Sequence, residues 1–497
     1  MATGPDLSLL AATMYRDGDA PAAQRLAEQI LQSHPRSVDA RAILGHALAA
    51  QLQHDEARTQ LMKALKQAPK NHQILSLLGE LSMNTGRYRD AIGFFDKALK
   101  HGPGAVSAIA GKAETYLRMG KPEQAKRVLD AVDIQPRDPR HAPLCKTMAN
   151  ALLRLDDAAA AADLLEQMLP LDASVPLEHR RAILFMRGKA LLESGRLEDA
   201  YTAYREANET VAGRWTGQRD LEATHQQELI RLLDRSALDS LPRPDIDASN
   251  IVLIVGLPRC GSTLTEQIID AHPDAYGVGE SLCMPELVNT MHERFGLSAP
   301  WPMCRNELTA EQLGELGRSY IDFISAKAGS ARVIVDKQLG NFVNLGLAGV
   351  MLPGVRVIHC MRHPMDLGLS TWTNKFPPGQ CAWSDSLEDI ADTWHRYTAL
   401  MRHWEATCSM PQLTIRYEQL VHDLEGHAHA ILDFCGLDWN PACLRFWESK
   451  RTVLTLSQDQ VRQPLYTKAS GRHEAWGERL EPLRTALGDA IKQYEQG

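Results

Sequence analysis

Residues 251–270 read Ile251-Val252-Leu253-Ile254-Val255-Gly256-Leu257-Pro258-Arg259-Cys260-Gly261-Ser262-Thr263-Leu264-Thr265-Glu266-Gln267-Ile268-Ile269-Asp270. The first five are apolar without alternation and mostly β-branched, the pattern of a strand buried on both faces of a parallel sheet. Gly256 to Gly261 hold two glycines and a proline, so the strand ends there in a turn. From Leu264 onward the apolar spacing is helical. A strand, a glycine loop and a helix in that order bring backbone N–H groups and the positive end of a helix to one point, which suits a phosphate group.

Upstream the sequence repeats. Ala23, Ala57, Ala91 and Ala125 follow one another at intervals of 34 residues. Gly18, Gly86 and Gly120 stand five residues before three of these alanines, where a helix-to-helix turn is needed. Leu61, Phe95 and Leu129 stand four residues after, and Pro35, Pro69 and Pro103 close three of the units. The physical unit is a pair of helices that approach closely at a small residue and bury their apolar face only by stacking on the next pair. This period and layout resemble the tetratricopeptide repeat. Further units centre on Ala161 and on Gly188, Gly195, Ala200, Tyr204 and Ala207, giving about six repeats over residues 4–210. The groove of such an array holds a peptide or an element of another protein; a spacer or a homodimer surface are the other uses. Residues 214–247 continue with a helical pattern and end in Leu241-Pro242-Arg243-Pro244-Asp245, a boundary signal. The expected organisation is a repeat α-solenoid over residues 1–212, a helical linker over 213–248, and over 249–497 a P-loop-like α/β domain with a central parallel sheet.

The whole chain has 497 residues, 44% hydrophobic and 23% charged, an ordinary globular composition. A net charge of -8 argues against a dedicated nucleic-acid binder. No apolar run reaches the roughly 18 residues of a membrane span. The first residues lack a basic start followed by an apolar segment, so no secretory signal is expected. Nine cysteines without a Cys-x-x-Cys pair indicate neither a zinc knuckle nor a disulfide framework, and a cytoplasmic location follows.

The loop after the strand has the spacing of the nucleoside-triphosphatase loop, but Ser262 stands where that loop has its lysine. No apolar strand ending in a magnesium-holding aspartate accompanies it. A kinase or ATPase is therefore disfavoured. Pro258-Arg259-Cys260-Gly261-Ser262-Thr263-Leu264 instead resembles the 5′-phosphosulfate loop of sulfotransferases, typically PRSGTTL, with Cys260 and Ser262 as departures. Those enzymes use PAPS (3′-phosphoadenosine 5′-phosphosulfate) and release 3′-phosphoadenosine 5′-phosphate. Residues 356–359 read as a second strand, and after them Arg362-His363-Pro364-Met365-Asp366 through Ser370 resembles the family's 3′-phosphate segment. The resemblance implies that Arg362 and Ser370 bind that phosphate, a task suited to paired guanidinium donors. Ser370 is expected to start the following helix. Residues 457–472 are similar to the C-terminal lid of bacterial repeat-linked sulfotransferases and of tyrosylprotein sulfotransferases. Tyr466, Lys468, Ser470, Gly471 and Arg472 would close over the nucleotide, and His473 stands where a tryptophan is usual.

Sulfuryl transfer needs a base for the acceptor hydroxyl, donors for the sulfuryl oxygens, and charge at the departing phosphate. Protein donors can supply all three, so no metal is expected. Gly279-Glu280, after a short strand and turn, resembles the base segment of glutamate-dependent sulfotransferases, so Glu280 is the expected base. Lys337 follows the apolar run Val333-Ile334-Val335-Asp336 and matches the family's lysine at the bridging oxygen. Asp336 would cap the next helix. Arg259 would stabilise the sulfuryl oxygens and the 5′-phosphate, and Ser457 matches a serine that assists at the leaving phosphate. Tyr417, after a further strand, would pack the nucleotide site. His272, His359 and His363 offer a competing histidine base. The acceptor is a hydroxyl, with a peptide or protein tyrosine favoured by the repeat array. Carbohydrate and small-molecule acceptors stay open, as does an interaction scaffold with an inactive second domain.

Overall fold

A computed structural model gives the fold and describes residues 20–51, 53–448 and 470–496. The chain divides into two compact units between Thr210 and Val211.

The first unit is built of paired helices. Val38–Ala50 packs with His54–Gln67, His72–Asn84 with Tyr88–His101, Val106–Arg118 with Pro122–Asp130, Ala142–Arg154 with Ala158–Glu166, and Leu177–Glu193 with Leu197–Glu209. Ala20–Ser33 packs on Val38–Ala50. The periodic alanines Ala23, Ala57, Ala91, Ala125, Ala161 and Ala200 are all 0% exposed, as close helix approach requires. Gly86 and Gly120, in turns between paired helices, take φ of +74° and +70°, a region where a side chain would be strained.

The large residue of three repeats has its own complement. A Cβ on Gly45 would lie 2.6 Å from Leu61 Cγ, one on Gly79 2.6 Å from Phe95 Cε1, and one on Gly188 2.8 Å from Tyr204 Cε1. Each glycine precedes its partner by sixteen residues. Phe95 is fully buried, and Gly111 of the next helix abuts its ring as well. The repeat is thus a knob on one helix set into a bare stretch of its neighbour, and identical spacing lets the units stack in one manner.

The second unit holds a five-stranded sheet with all strands parallel, in the order β2-β3-β1-β4-β5. The strands are β1 (Ile251–Gly256), β2 (Ala275–Gly279), β3 (Val333–Asp336), β4 (Arg356–Met361) and β5 (Gln412–Arg416). Every residue of β1 is buried. It pairs Ile251 with Ile334 on one side and Gly256 with Cys360 on the other. Helix Ser262–Asp270 packs against β1 and β2, and Cys360 Sγ lies 3.5 Å from its Thr265 Oγ1. The long helix Leu387–Thr407 carries Tyr397, which hydrogen-bonds to His359 of β4. The segment expected as a linker forms helices Thr216–Leu232 and Arg235–Asp239 and belongs to this unit. His403 Nε2 lies 2.9 Å from the Leu233 carbonyl, and Arg235 donates to the Ala406 carbonyl at 2.6 Å. Among the described residues, no helix is long and apolar enough to cross a membrane.

Phe95→Ala should remove the central knob of the array and cost about 3–5 kcal/mol. The measurement is the urea midpoint of the helical circular-dichroism signal. Gly93→Ala is the control, since its Cβ would meet nothing within 4 Å, and it should hold or raise the midpoint. An unmoved midpoint in Phe95→Ala would show that the knob is not what joins the repeats.

Candidate active site

All five strands end at one edge of the sheet, and each end delivers a side chain singled out from the sequence. The loop after β1 carries Arg259, β2 leads to Glu280, β3 to Lys337, β4 to Arg362 and β5 to Tyr417. In an open parallel sheet the crevice for a ligand lies outside the carboxyl ends of the strands, where the strand order reverses. Here that place is β1, with β3 on one side and β4 on the other.

The loop after β1 is tightly constrained. A Cβ on Gly256 would lie 2.6 Å from the Cys360 carbonyl oxygen and 2.8 Å from Cys260 Sγ, so β4 leaves no room for a side chain there. Gly261, with φ of +96°, caps the helix Ser262–Asp270, and the Tyr417 ring presses on its α-carbon. The first N–H groups of that helix have no partner within it. Arg259 takes φ of +72°, a conformation costing a non-glycine residue about 1–3 kcal/mol. Two contacts hold it there. Its carbonyl accepts from Arg362 Nη1 at 3.2 Å, and its Nε donates to Ser370 Oγ at 3.0 Å.

Arg259, Arg362, Ser370 and Tyr417 therefore form one cluster. Arg362 is buried, and its guanidinium lies over the Tyr417 ring at 4.9 Å. Ser370 corrects one expectation: helix Pro364–Trp372 begins at Pro364, so Ser370 lies in its closing turns and not at its start. Proline at the first helical position sets that start, because its fixed φ suits a helix and its missing N–H is not needed there. Within the loop, Cys260 and Leu264 are 1% and 6% exposed, and Cys260 shares a hydrogen bond with the Cys360 thiol. These two can offer a ligand only backbone. Ser262 and Thr263 are also largely buried, while Pro258 and Arg259 stay partly open.

On the other side of β1 lies a buried ionic cluster. Lys337, 0% exposed, donates from Nζ to Glu280 Oε1 at 2.7 Å, while Glu280 is 36% exposed. A second carboxylate, Glu266, lies 3.9 Å from the same Nζ and accepts from Gly279 N–H at 2.9 Å. Burial raises the Glu266 carboxyl above its usual range, and Lys337 works against that rise. Asp336 accepts from Tyr320 OH at 2.6 Å and from Gln338 N–H at 2.9 Å, the latter at the start of the short turn Leu339–Asn344.

Glu266 was not legible from the residues alone, because nothing in a helical Thr265-Glu266-Gln267 run tells that its middle residue turns to a lysine on a distant strand. A tie near the cluster of Arg259 and Arg362 was not legible either. Asp366 accepts from Gly471 N–H at 2.6 Å, His473 N–H at 3.0 Å and the His473 ring at 2.8 Å. Burial opposes the Asp366 charge, but those donors and Arg362 outweigh it and hold the carboxyl below its usual range. His473 also stacks on His363, with ring centroids 4.8 Å apart. Of the expected lid residues, Gly471 is thus placed beside Asp366, while Ser470 and Arg472 are exposed. Ser457, Tyr466 and Lys468 lie outside the described residues.

The competing histidines are engaged elsewhere. His272 accepts Asp274 N–H at Nδ1, so its Nε2 donates to the Asp438 carbonyl at 3.0 Å. His359 is paired with Tyr397, and burial lowers it to about 4. His363 lies between His473 and Tyr494. Two cavities are lined by residues outside these clusters. One of about 1230 Å³ lies in the repeat unit, lined by Asp39, Gln73 and Ser107 at intervals of one repeat; one of about 710 Å³ lies beside β4 and β5.

Residues 252–441, which contain both clusters, match the sulfotransferase family. Residues 14–81, 83–145 and 146–213 match tetratricopeptide repeats. The chain joins a tetratricopeptide-repeat array to a sulfotransferase-family domain. An uncharacterized protein of Aquifex aeolicus is 26% identical over 337 residues, 65% of this chain and 43% of that protein. Protein-tyrosine sulfotransferase 1 of Danio rerio is 26% identical over 229 residues, 44% of this chain and 64% of its own length. The chain thus spans less than two thirds of either relative. Among solved structures, a tetratricopeptide repeat protein of Parabacteroides merdae is similar with a TM-score of 0.35 and 19% identity, over 42% of this chain and 79% of that one.

The buried Asp336 of this sulfotransferase-family domain gives a pH test. Burial pushes its carboxyl up from 3.8 to about 6, against its hydrogen bonds. The folded state then binds that proton more tightly than the unfolded chain. The stability this contributes is complete below about pH 3.8 and is lost as the pH rises through about 6. Asp336→Asn, which keeps the shape, should gain on the wild type in urea midpoint across that window and hold its gain above it. A difference that stays flat with pH would mean that Asp336 is ionised throughout.

Proposed function

We propose that the second unit is a PAPS-dependent O-sulfotransferase whose repeat array presents a peptide or protein acceptor, with tyrosine the favoured hydroxyl. The observation that carries this is the Lys337–Glu280 pair at 2.7 Å on the same sheet edge as Arg259, Arg362 and Ser370. A lysine and a half-open carboxylate are the groups that a leaving oxygen and an acceptor hydroxyl need. Two arginines, one bonded to a serine and the other to the first one's carbonyl, are the groups that a bisphosphate needs.

The residues present fit the donor. Gly256 and Gly261 let β4 and the Tyr417 ring close in on the loop, whose helix N-terminus would take the 5′-phosphate with Arg259 beside it. Arg362 and Ser370 would hold the 3′-phosphate, with Tyr417 fixing the Arg362 plane. The donor supplies a sulfuryl group on a phosphate leaving group. Glu280 would take the acceptor O–H proton. The acceptor oxygen forms the new S–O bond as the S–O bond to the 5′-phosphate breaks, and the electron pair leaves with the phosphate. Lys337 would neutralise that oxygen, and Arg259 the sulfuryl oxygens. The roles of Ser457, Tyr466, Lys468, Ser470, Gly471 and Arg472 as a lid, and of Pro258, Cys260, Ser262, Thr263 and Leu264 as loop contacts, belong to the same proposal. The groove in the repeat unit and the similarity to a protein-tyrosine sulfotransferase support the peptide acceptor. The nine free thiols support a reducing, cytoplasmic setting.

Thermal unfolding in chelator tests the donor. 3′-Phosphoadenosine 5′-phosphate at about 100 times its dissociation constant should add roughly 2.7 kcal/mol of stability. Arg362→Ala should lose that shift while still folding. A shift given only by magnesium ATP would replace the proposal with a nucleoside-triphosphate enzyme.

The base is tested by transfer from labelled PAPS, with tyrosine peptides as the first acceptors. Glu280→Gln should lower transfer about 10²–10⁴-fold and leave bisphosphate binding intact. Undiminished transfer would remove Glu280 as the base.

A further inference from the structure

Lys337 has two carboxylates for one ammonium, and they differ in kind. Glu280 is near and half open; Glu266 is deep, 5% exposed, and stands off at 3.9 Å without a hydrogen bond. Its other oxygen is already committed, accepting Gly279 N–H at 2.9 Å. Lys337 N–H in turn donates to the Gly279 carbonyl at 3.0 Å. Gly279, the residue just before Glu280, is therefore held through its N–H by Glu266 and through its carbonyl by the Lys337 backbone. Gly279 has φ of +83° at the point where β2 departs from its register with β3.

This arrangement conflicts with a base that works unaided. The ammonium at 2.7 Å occupies Oε1 of Glu280 and leaves Oε2 for an acceptor proton. Once Glu280 is protonated and neutral, a fully buried ammonium would be left without a carboxylate at hydrogen-bond distance, which is unfavourable. Glu266 is the carboxylate in reach, and a movement of about 1 Å by Nζ would bring a charge-assisted hydrogen bond within the usual range.

We propose that Glu266 is a positioning residue that sets the Gly279-Glu280 turn and serves as the second seat of the Lys337 ammonium, receiving it when Glu280 takes up a proton. The catalytic part of this rests on the proposed sulfotransferase activity; the second seat does not. Before proton uptake the cluster has one cation facing two anions. Afterwards it is the single pair Lys337–Glu266, and Lys337 stays charged for the leaving oxygen. Glu266 touches neither the donor nor the acceptor in this scheme. It acts through Lys337 and through the backbone of Gly279.

Two experiments test it. The first is a crystal structure of Glu280→Ala, a change at a half-exposed residue that should not disturb folding. Lys337 Nζ should close from 3.9 Å to a hydrogen bond with Glu266. An ammonium that stays at its present distance, or turns to water, overturns the second seat whether or not the protein is an enzyme. The second is the pH–rate profile of Glu266→Gln, which keeps an acceptor for Gly279 N–H and removes only the charge. Lys337 would then be confined to Glu280 and make it a weaker base. The acid limb should move down by roughly one pH unit, and kcat should fall about tenfold, with the donor KM changed less than about threefold. A purely structural Glu266 would leave the limb and kcat of Glu266→Gln in place while Glu266→Ala lowers the melting temperature. A wild type that neither binds the bisphosphate nor turns over PAPS would overturn the activity and the catalytic half, leaving the Glu280→Ala structure to decide the seat.

Discussion

The pairing of β1 on both edges is the constraint on which the second unit depends. With β3 and β4 bonded to either side and every residue buried, the chain can leave β1 only at the carboxyl edge of the sheet. Gly256 must then pass under the Cys360 carbonyl, and the turn that follows is forced into the gap between two strand ends. A loop so placed collects charges that arrive on the neighbouring strands, since parallel strands all present their carboxyl ends to one edge. Lys337 from β3 and Arg362 from β4 reach the same edge for that reason. They fall in separate clusters because β1 stands between them.

The two clusters meet the cost of buried charge differently. Arg362 spreads its charge over a planar group, stacks on Tyr417 and bonds a carbonyl, which suits it to burial. Lys337 is a compact ammonium, which needs a carboxylate at hydrogen-bond distance once water is removed. Glu280 supplies it from the open side and Glu266 stands behind. That difference fits the work proposed for each. A fixed guanidinium suits a phosphate that does not react, and a lysine with a choice of partners suits an oxygen whose charge changes.

Legibility in the sequence followed the range of the physics. The repeat unit was readable because one spacing recurs and each alanine and each bulky residue answers to a local steric need, as at Ala57, Ala91 and Phe95. The five strand ends were readable because an apolar run followed by a charged or glycine residue is local as well. Glu266 and the Asp366–His473 tie were not, since each joins segments remote in sequence. Ser370 was misplaced for a simpler reason. The motif spacing counts residues from Arg362, and a count does not say that Pro364 has already begun the helix. The glycine sixteen residues before three of the bulky knobs lay in plain view at Gly45, Gly79 and Gly188, but its meaning depends on which helix faces which.

Helix Pro364–Trp372 ties the loop after β1 to the chain that returns at Ser470. Asp366 and Ser370 are four residues apart and lie on one face of it. Ser370 takes the Arg259 side chain, and Asp366 takes Gly471 and His473. Asp366 in particular accepts three donors from the returning segment and stays charged against burial. A carboxylate held in that way resists rotation, because turning away would leave two backbone N–H groups and a ring nitrogen without partners. The end of the segment expected as a lid is therefore anchored one helical turn from the serine that holds Arg259.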